Sequence, residues 1–402
     1  MVSGIVGPDV HPQTLRRDRR ALQRADHDWS RQGRPPPGHG RRAAHPSRGD
    51  RDRSRPRMSA QRIAQWLWWS GAAPARAARG VLLPVAFVYR SIMSARAKAY
   101  ARGWLRRRPL PLPSVAIGNL AVGGAGKTPL AAWVAAYFAR HGVKPGILLR
   151  GYRGDEQAVH QRLVPDAVVV PDPDRIAGAR KAREQGARVL VLDDAYQRLN
   201  VGRDVNIAVV STESSPPRHV AWPLPAGPWR EDWSALGRAD VIVVTRRRAA
   251  VAESRALAGR ISARWPNAVV ATVQLALDAL AGLRSGRRVE LSALAKKRVI
   301  VAAGIADPVS FAAQVRSFGA SVQLMAYQDH HAYPPDDVAR LAQAAKHADY
   351  VVVTEKDAVK LRSRWPEDAP PPEPLVAQLA LRWELNGQAV ERVLEGVLTR
   401  VV

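Results

Sequence analysis

A glycine-rich segment carries the residues whose chemistry is easiest to infer. Residues 114–129 read SVAIGNLAVGGAGKTP, a short apolar run that leads into a loop ending in Gly126-Lys127-Thr128. Between a strand and a helix, such a loop binds phosphate through backbone N–H groups and the helix N-terminus. Lys127 would reach the β- and γ-phosphates and Thr128 would bind Mg²⁺. A purely structural turn is the alternative. The predicted nucleotide contacts are Gly123, Gly124, Ala125, Gly126, Lys127 and Thr128.

Two acids follow another apolar run and complete the pattern of a phosphate-transfer site. Residues 189–194 read VLVLDD, so Asp193 and Asp194 come at the end of a predicted strand. Ligands bind at the carboxyl ends of strands in open α/β sheets. One of these acids would hold Mg²⁺ and the other would position a water, and the alternative is an exposed Asp-Asp turn.

An acid and a histidine are candidates for proton transfer. Asp155 follows the second predicted strand, where an aspartate can act as the general base for an attacking hydroxyl, although Gly-Asp is also a common turn. The segment DHHAY, residues 329–333, contains two adjacent histidines, which cannot both face one metal from a regular helix or strand. A histidine bonded to a carboxylate elsewhere could tune a base. A structural or solvated loop is the alternative.

Two further segments have less specific signals. TEKDAVK, residues 354–360, follows a predicted strand and either begins a helix with Thr354 at the N-cap or reaches the nucleotide. LPAGPWRE, residues 224–231, is a rigid, aromatic and charged segment that either shapes an acceptor pocket or forms a surface loop.

Alternating strands and helices must position these residues. The pattern predicts a doubly wound, mainly parallel α/β sheet with a second, smaller α/β domain. We place the phosphate-binding domain at residues 114–285 and the second at 286–402. The predicted strands of the first are Val115–Gly118, Gly146–Leu149, Ala167–Val170, Arg188–Leu192, Val205–Val210 and Val241–Thr245.

Composition narrows the choice of partners. The chain has 402 residues, 46% of them hydrophobic, and no cysteine, which excludes disulfides, cysteine-ligated zinc and thiol catalysis. The net charge of +27 is concentrated at the N-terminus: residues 1–57 hold 14 arginines against six aspartates, and residues 58–113 hold ten basic and no acidic residues. Such a segment beside apolar helices suits an anionic membrane surface better than nucleic acid.

The N-terminal region divides at Met58. Residues 1–57 have few large apolar residues, so we predict that they are a disordered basic tail, and Met58 is a candidate native start. Residues 58–113 are predicted to form amphipathic helices, with an apolar stripe and an apolar run too short to span a bilayer. These helices would lie in the membrane interface or, alternatively, dock on the next domain. Their apolar residues include Trp66, Trp68, Trp69, Val85, Val88, Tyr89 and Ile92.

The order of the motifs resembles that of a known family, the tetraacyldisaccharide 4′-kinases. They read GNLAVGGAGKTP, LRGYRGDE, DR, LDDAYQ with RD, LPAGPWRE, VTR, GIADPVSF, DHHAY and TEKDAVK. The resemblance covers roughly residues 75–400. It implies ATP- and Mg²⁺-dependent phosphorylation of the 4′-hydroxyl of a lipid-linked glucosamine disaccharide, an active site in a cleft between two domains, and peripheral attachment to the cytoplasmic face of the inner membrane.

The resemblance also implies roles for individual residues. Asp155 matches the family's proposed base, and His330 matches the histidine that pairs with it; because they lie in different predicted domains, cleft closure would assemble the pair. Glu231 matches an acid in the active-site cleft. The matching nucleotide-loop and metal-site residues are Gly124, Gly126, Lys127, Thr128, Asp193 and Asp194.

Three departures from the family pattern surround the site. Only Arg153 separates RGY from GDE, where the family usually has a longer insertion, and Gln157 stands where proline is usual. Arg198 replaces the histidine of the DDGFQH pattern. These changes bear on the lipid acceptor more than on the kinase chemistry.

Two other classes of function fit part of the sequence. One is a phosphate-loop ATPase or GTPase switch without a sugar acceptor, although no NKxD-type guanine motif is apparent. The other is a basic membrane- or nucleic-acid-binding protein with a vestigial loop, which the intact Lys127, Thr128, Asp193 and Asp194 argue against. The sequence carries no signal of oligomeric state.

Overall fold

The structure is a computed structural model that describes residues 60–151, 154–213, 222–367 and 372–401. The predicted disordered tail, residues 1–57, and the candidate start Met58 lie outside the described residues, as does Arg153 of the shortened loop.

One sheet of twelve strands organises the described part of the chain. Its order is β10-β9-β11-β12-β7-β6-β5-β1-β4-β2-β3, and β8 pairs with β7. The strands are β1 Ser114–Asn119, β2 Pro145–Leu149, β3 Val168–Pro171, β4 Val189–Leu192, β5 Val205–Ser211, β6 Val241–Arg246, β7 Val269–Gly282, β8 Arg288–Val289, β9 Arg298–Ala303, β10 Ser321–Ala326, β11 Tyr350–Thr354 and β12 Pro374–Leu385.

In the part of the chain that the structure describes, ten α-helices accompany the sheet. They are α1 Ala60–Trp69, α2 Ala73–Ala101, α3 Lys127–Arg140, α4 Gly154–Leu163, α5 Arg175–Glu184, α6 Val251–Arg264, α7 Pro308–Arg316, α8 Pro335–Ala345, α9 Glu355–Leu361 and α10 Gly387–Leu398. The mainly parallel α/β fold and the six strands predicted for the first domain are confirmed, since short β-branched runs alternate with amphipathic helices.

The long strand β7 joins two parallel sets of strands. We call β1 to β6 the first sheet half and β9 to β11 the second sheet half. β6 runs parallel to β7 and ends at Arg246, opposite Gln274. β11 runs parallel to β12, which is antiparallel to β7, so β11 ends at Thr354 level with Leu280. The carboxyl ends of both halves therefore point toward the middle of β7, where loops from the two halves can meet.

The core extends across the predicted boundary between residues 285 and 286. Helix α10 contributes Val390, Leu394 and Val397 to the same buried cluster as Leu130 of α3 and Val115 of β1. The last helix of the chain thus packs on the first sheet half. The division into two domains at that boundary stays a prediction.

The N-terminal helices contact the body of the protein through polar groups. Trp68 Nε1 donates to the carbonyl of Pro225 at 3.0 Å, and the Tyr89 hydroxyl donates to the carbonyl of Arg230 at 3.1 Å. Arg90 forms a 2.9 Å ion pair with Asp232. The structure therefore shows the docking that was the alternative interpretation, and the predicted position of these helices in a membrane interface stays a prediction.

The same helix α2 also presents apolar side chains to solvent. Tyr89, which the sequence placed on the apolar stripe, turns toward the body instead. The exposed members of the stripe are Val85, Val88 and Ile92, and Val81 of the same helix is exposed as well. Within the described ranges, no helix combines the length and apolar character needed to cross a bilayer.

Candidate active site

The glycine-rich loop lies between β1 and α3, as predicted. Gly126 caps α3 with a φ of 94°, and a Cβ atom there would come within 2.5 Å of a Leu275 methyl group. Side chains at the end of β6 hold the loop: the Thr245 hydroxyl donates to the Ala125 carbonyl at 2.8 Å, and Arg247 donates to that of Gly124 at 2.6 Å. Only glycine fits at position 126, so the loop keeps the open backbone that phosphate binding requires.

Lys127 lies beside one of the predicted metal-site acids. Its Nζ atom is 3.2 Å from Asn119 Oδ1 and 3.5 Å from Asp194 Oδ1. Arg230 approaches the same carboxylate at 3.4 Å. Burial would raise the pKa of Asp194, but the charges of Lys127 and Arg230 outweigh it and lower that pKa. Asp194 is therefore ionised and close to the phosphate-binding lysine.

Asp193 is held by a histidine that the sequence analysis missed. His160 Nε2 donates to Asp193 Oδ2 at 3.0 Å, and both side chains are buried. Burial would raise the pKa of Asp193, yet the bond from His160 and nearby cations lower it overall. Among the described residues, Asp193 Oδ1 has no hydrogen-bond partner. An ionised, unpartnered carboxylate oxygen of this kind fits a hard cation such as Mg²⁺.

Asp155 and His330 are in direct contact. Asp155 lies in the first turn of α4, and His330 lies in the loop after β10, so they come from the two sheet halves. His330 Nδ1 donates to Asp155 Oδ2 at 2.8 Å. The pair that cleft closure was expected to assemble is already formed in this structure.

The loop that carries His330 is fixed by its neighbours. His330 has a φ of 60°, and its backbone N–H donates to the Gly304 carbonyl at 2.9 Å. The next residue, His331, bonds to Asp337 at 2.7 Å and stacks on Tyr327 with ring centroids 4.7 Å apart. The first histidine is thus aimed at Asp155 while the second has a structural role.

The surroundings of Asp155 keep its carboxylate ionised. Its side chain is 3% exposed, and burial alone would raise its pKa. The hydrogen bond from His330 and the charge of Lys360 outweigh burial and hold the pKa of Asp155 well below its usual range. The group can therefore accept a hydrogen bond, or a proton, from a hydroxyl.

Glu231 lies apart from the Asp155–His330 pair. Its buried carboxylate accepts hydrogen bonds from Arg238 and from Gln197, the latter at 3.3 Å. Gln197 also donates to the carbonyl of Asn119 at 2.6 Å, which links Glu231 to the end of β1. These contacts are structural, and a catalytic role for Glu231 stays a prediction.

Two residues outside the predicted site stabilise the strand ends and the helix around it. Arg175, from the DR motif, is buried and donates to the backbone carbonyls of Leu149 and Asp193, tying together the ends of β2 and β4. Burial lowers the pKa of Arg175 to about 10. Thr354 caps α9, as one of its two interpretations predicted, by accepting the N–H of Asp357.

Comparisons with known proteins agree with this geometry. The profile of a family described as tetraacyldisaccharide-1-P 4′-kinase matches residues 78–167 and 153–399. The chain is similar to the tetraacyldisaccharide 4′-kinase of Pelobacter propionicus, with 34% identity over 72% of this chain and 84% of that one. It is equally similar to that of Thiobacillus denitrificans, with 34% identity over 70% and 85% of the two chains.

A solved structure shares the fold. The structure of LpxK from Aquifex aeolicus in complex with ATP superposes with a TM-score of 0.61 and 23% identity, covering 79% of this chain and 99% of that one. At this identity the likeness supports the architecture of the sheet and helices.

Proposed function

The chain belongs to the tetraacyldisaccharide-1-P 4′-kinase family, and from this premise we propose that it transfers the γ-phosphoryl group of ATP to the 4′-hydroxyl of a tetraacyl glucosamine disaccharide in lipid A biosynthesis. The observation that best supports this proposal is the 2.8 Å contact between His330 and Asp155. Asp155, the acid that would activate the hydroxyl, belongs to the first sheet half, which also carries the phosphate loop. His330 belongs to the second sheet half, so the contact joins the two.

Asp155 would accept the proton of the 4′-hydroxyl as that oxygen bonds to the γ-phosphorus and the bond to the ADP oxygen breaks. Phosphoryl transfer depends mainly on positioning and charge stabilisation, so an ionised carboxylate of low basicity can still orient the hydroxyl. His330 would stabilise the Asp155 carboxylate and keep it aimed at the acceptor, and Lys127 would bind the phosphates.

Three oxygen-bearing side chains would hold Mg²⁺. They are Thr128 at the start of α3 and Asp193 and Asp194 after β4. The support for this set is the unpartnered, buried Oδ1 of Asp193. When bound, the ion would neutralise part of the phosphate charge.

Helix α2 would attach the protein to the membrane that contains its lipid substrate. We infer peripheral binding to the cytoplasmic face of the inner membrane, where exposed Val85, Val88 and Ile92 enter the interface and the basic, acid-free segment 58–113 contacts anionic headgroups.

The activity is tested by incubating the purified protein with a tetraacyldisaccharide 1-phosphate acceptor in detergent, with ATP and Mg²⁺. We expect a product phosphorylated at the 4′ position. ATP hydrolysis without acceptor phosphorylation would overturn the proposal and favour a phosphate-loop switch.

Membrane attachment has a separate test. The variant Val85→Ser/Val88→Ser/Ile92→Ser should lose most of its flotation with vesicles that contain anionic lipid, because each serine removes apolar area from the interface. Val251→Ser/Val309→Ser changes exposed valines elsewhere and serves as a control that floats like the parent. Equal flotation of all three proteins would contradict attachment through α2.

A further inference from the structure

We propose that Lys360 is a positioning residue for the phosphoryl transfer, and that its ammonium group holds the Asp155 carboxylate in place and in its charged form. The inference rests on the proposed function and deepens it. Lys360 lies in the TEKDAVK segment. The sequence predicted that this segment either begins a helix or reaches the nucleotide, and neither prediction gives Lys360 a role at Asp155.

Two side-chain nitrogen atoms lie close to one oxygen of Asp155. Lys360 Nζ is 3.2 Å from Asp155 Oδ2, the atom that also accepts the hydrogen bond from His330. The lysine side chain is 15% exposed and its Nζ atom is fully buried. Because charges interact more strongly where water is excluded, this ion pair acts on Asp155 more than a surface pair of equal length would.

Helix α9 supplies an internal comparison one turn earlier. Lys356 Nζ is 3.2 Å from Glu156 Oε1, so two lysines spaced by four residues face two successive acids at the start of α4. The two ion pairs have the same length and join the same helices. Only the Lys360 pair touches the acid that would receive the hydroxyl proton.

The other acid near Lys360 is already bonded. Asp357 accepts a hydrogen bond from the Gly304 N–H at 3.1 Å and one from the Thr354 hydroxyl at 2.6 Å. Burial raises the pKa of Asp357, which favours its neutral form. Asp155 is therefore the carboxylate that needs the charge of Lys360.

The charged and titratable groups around Asp155 determine the pH at which its carboxylate binds a proton. They come from α4, α9 and the loop after β10, and they are Glu156, Lys356, Lys360, Asp329 and His330. Removal of Lys360 leaves burial opposed mainly by His330, so Asp155 should bind a proton at a higher pH than in the parent protein.

The experiment compares Lys360→Met, Lys360→Gln, Lys360→Arg and Lys356→Met in the full-length enzyme. Steady-state kcat and KM are measured from about pH 3 to 9 with the lipid acceptor, so that the range extends below the ordinary carboxyl pKa of about 3.9, and circular dichroism checks folding at each pH. The parent protein's activity in this assay tests the proposed function separately, before any variant is compared.

We expect Lys360→Met and Lys360→Gln to move the acid limb of the kcat profile upward by about 1–3 pH units, the usual effect of one neighbouring cation on a carboxylate. Because the pKa of Asp155 starts well below the ordinary carboxyl value, the loss of kcat should appear at the most acidic pH values, near and below about 3.9, while KM for ATP changes little. Lys360→Arg should restore most of the parent profile, and Lys356→Met should leave the acid limb unmoved.

Two results would overturn the inference. One is an unmoved acid limb in whichever of the two neutral Lys360 variants folds. The other is an equal shift in Lys356→Met, which would show a general effect of losing an ion pair between α4 and α9. If neither neutral variant folds, a parent-like acid limb in Lys360→Arg supports the inference and a shifted limb overturns it.

Discussion

Two histidine–carboxylate pairs of similar length lie in different surroundings in this protein. His160 and Asp193 are 3.0 Å apart and both almost fully buried, whereas His330 and Asp155 are 2.8 Å apart and leave His330 26% exposed. A buried pair has no direct route for a proton to water or substrate. On the proposed function, the same two residue types would fix a metal-site acid in one place and support proton transfer in the other.

The pairs also differ in what must fold before they form. His160 and Asp193 are 33 residues apart and belong to the first sheet half, while His330 and Asp155 are 175 residues apart and belong to different halves. The first pair is a feature of the phosphate-binding half itself. The second forms only when both halves are docked against β7.

The largest expected effect is on Asp155. Asp155→Asn keeps the size of the side chain but removes the proton acceptor, so kcat should fall by about 10²–10⁴-fold, as for other general bases, with little change in KM for ATP. Steady-state kinetics with the lipid acceptor measure this. Asp166→Asn, at an exposed aspartate close to the end of α4, is the control. Near-parental turnover in Asp155→Asn would remove it as the base.

The buried pair should respond in stability. His160→Leu leaves the Asp193 carboxylate buried without its partner, so the free energy of unfolding should fall by about 3–5 kcal/mol. Urea unfolding monitored by circular dichroism measures the change. A smaller loss than in His330→Leu would reverse the assignment of the structural and functional pairs.

For His330→Gln, we expect a large loss of kcat and little loss of stability, the opposite of His160→Leu. Loss of a hydrogen bond to a charged group is worth about 1.5–3 kcal/mol, so kcat should fall roughly tenfold to a hundredfold. Its unfolding midpoint in urea should stay close to that of the parent, since His330 is partly exposed. If His330→Gln unfolds early and keeps its activity, the pair has only a structural role.

The smallest expected effect is on the pH dependence of stability. The folded protein lowers the pKa of Asp155, so the folded state binds fewer protons than the unfolded state. This stabilisation is present above the ordinary carboxyl pKa of about 3.9 and is lost as the pH falls below it. Asp155→Asn should therefore lose less stability than the parent between pH 5 and 3 in urea titrations. Equal slopes would show that Asp155 is not the group responsible.

The local signals in the sequence were sufficient for the phosphate loop and most strands. Ser114–Asn119 ends in Gly-Asn and Val189–Leu192 is followed by Asp193, so each is a short apolar run that stops at residues typical of loops. The Asp155–His330 contact needed the family resemblance, because nothing local to either residue indicates a partner 175 positions away.

Three features escaped prediction for physical reasons. Helix α4 reads GDEQAVHQRL, a polar segment without an apolar stripe, so neither the helix nor His160 on its buried face was anticipated. Strand β7 lies in an apolar stretch for which no element was predicted, and its pairing with β12 depends on contacts more than 90 residues away. For Lys360, the four-residue spacing from Lys356 was a usable signal, but its partner on α4 was not.

The middle of β7 sets the distance between the first sheet half and the second sheet half. The stretch from Leu275 to Ala279 separates the levels at which β6 and β11 end, and a register irregularity beside Gln378 lies within it. At about 3.4 Å per residue this stretch spans roughly 17 Å. Two added residues would keep every side chain on its face yet move the sheet halves about 7 Å apart, enough to break the contacts of Asp155. On the proposed function, the length of β7 therefore determines whether Asp155 of the first sheet half can reach His330 of the second.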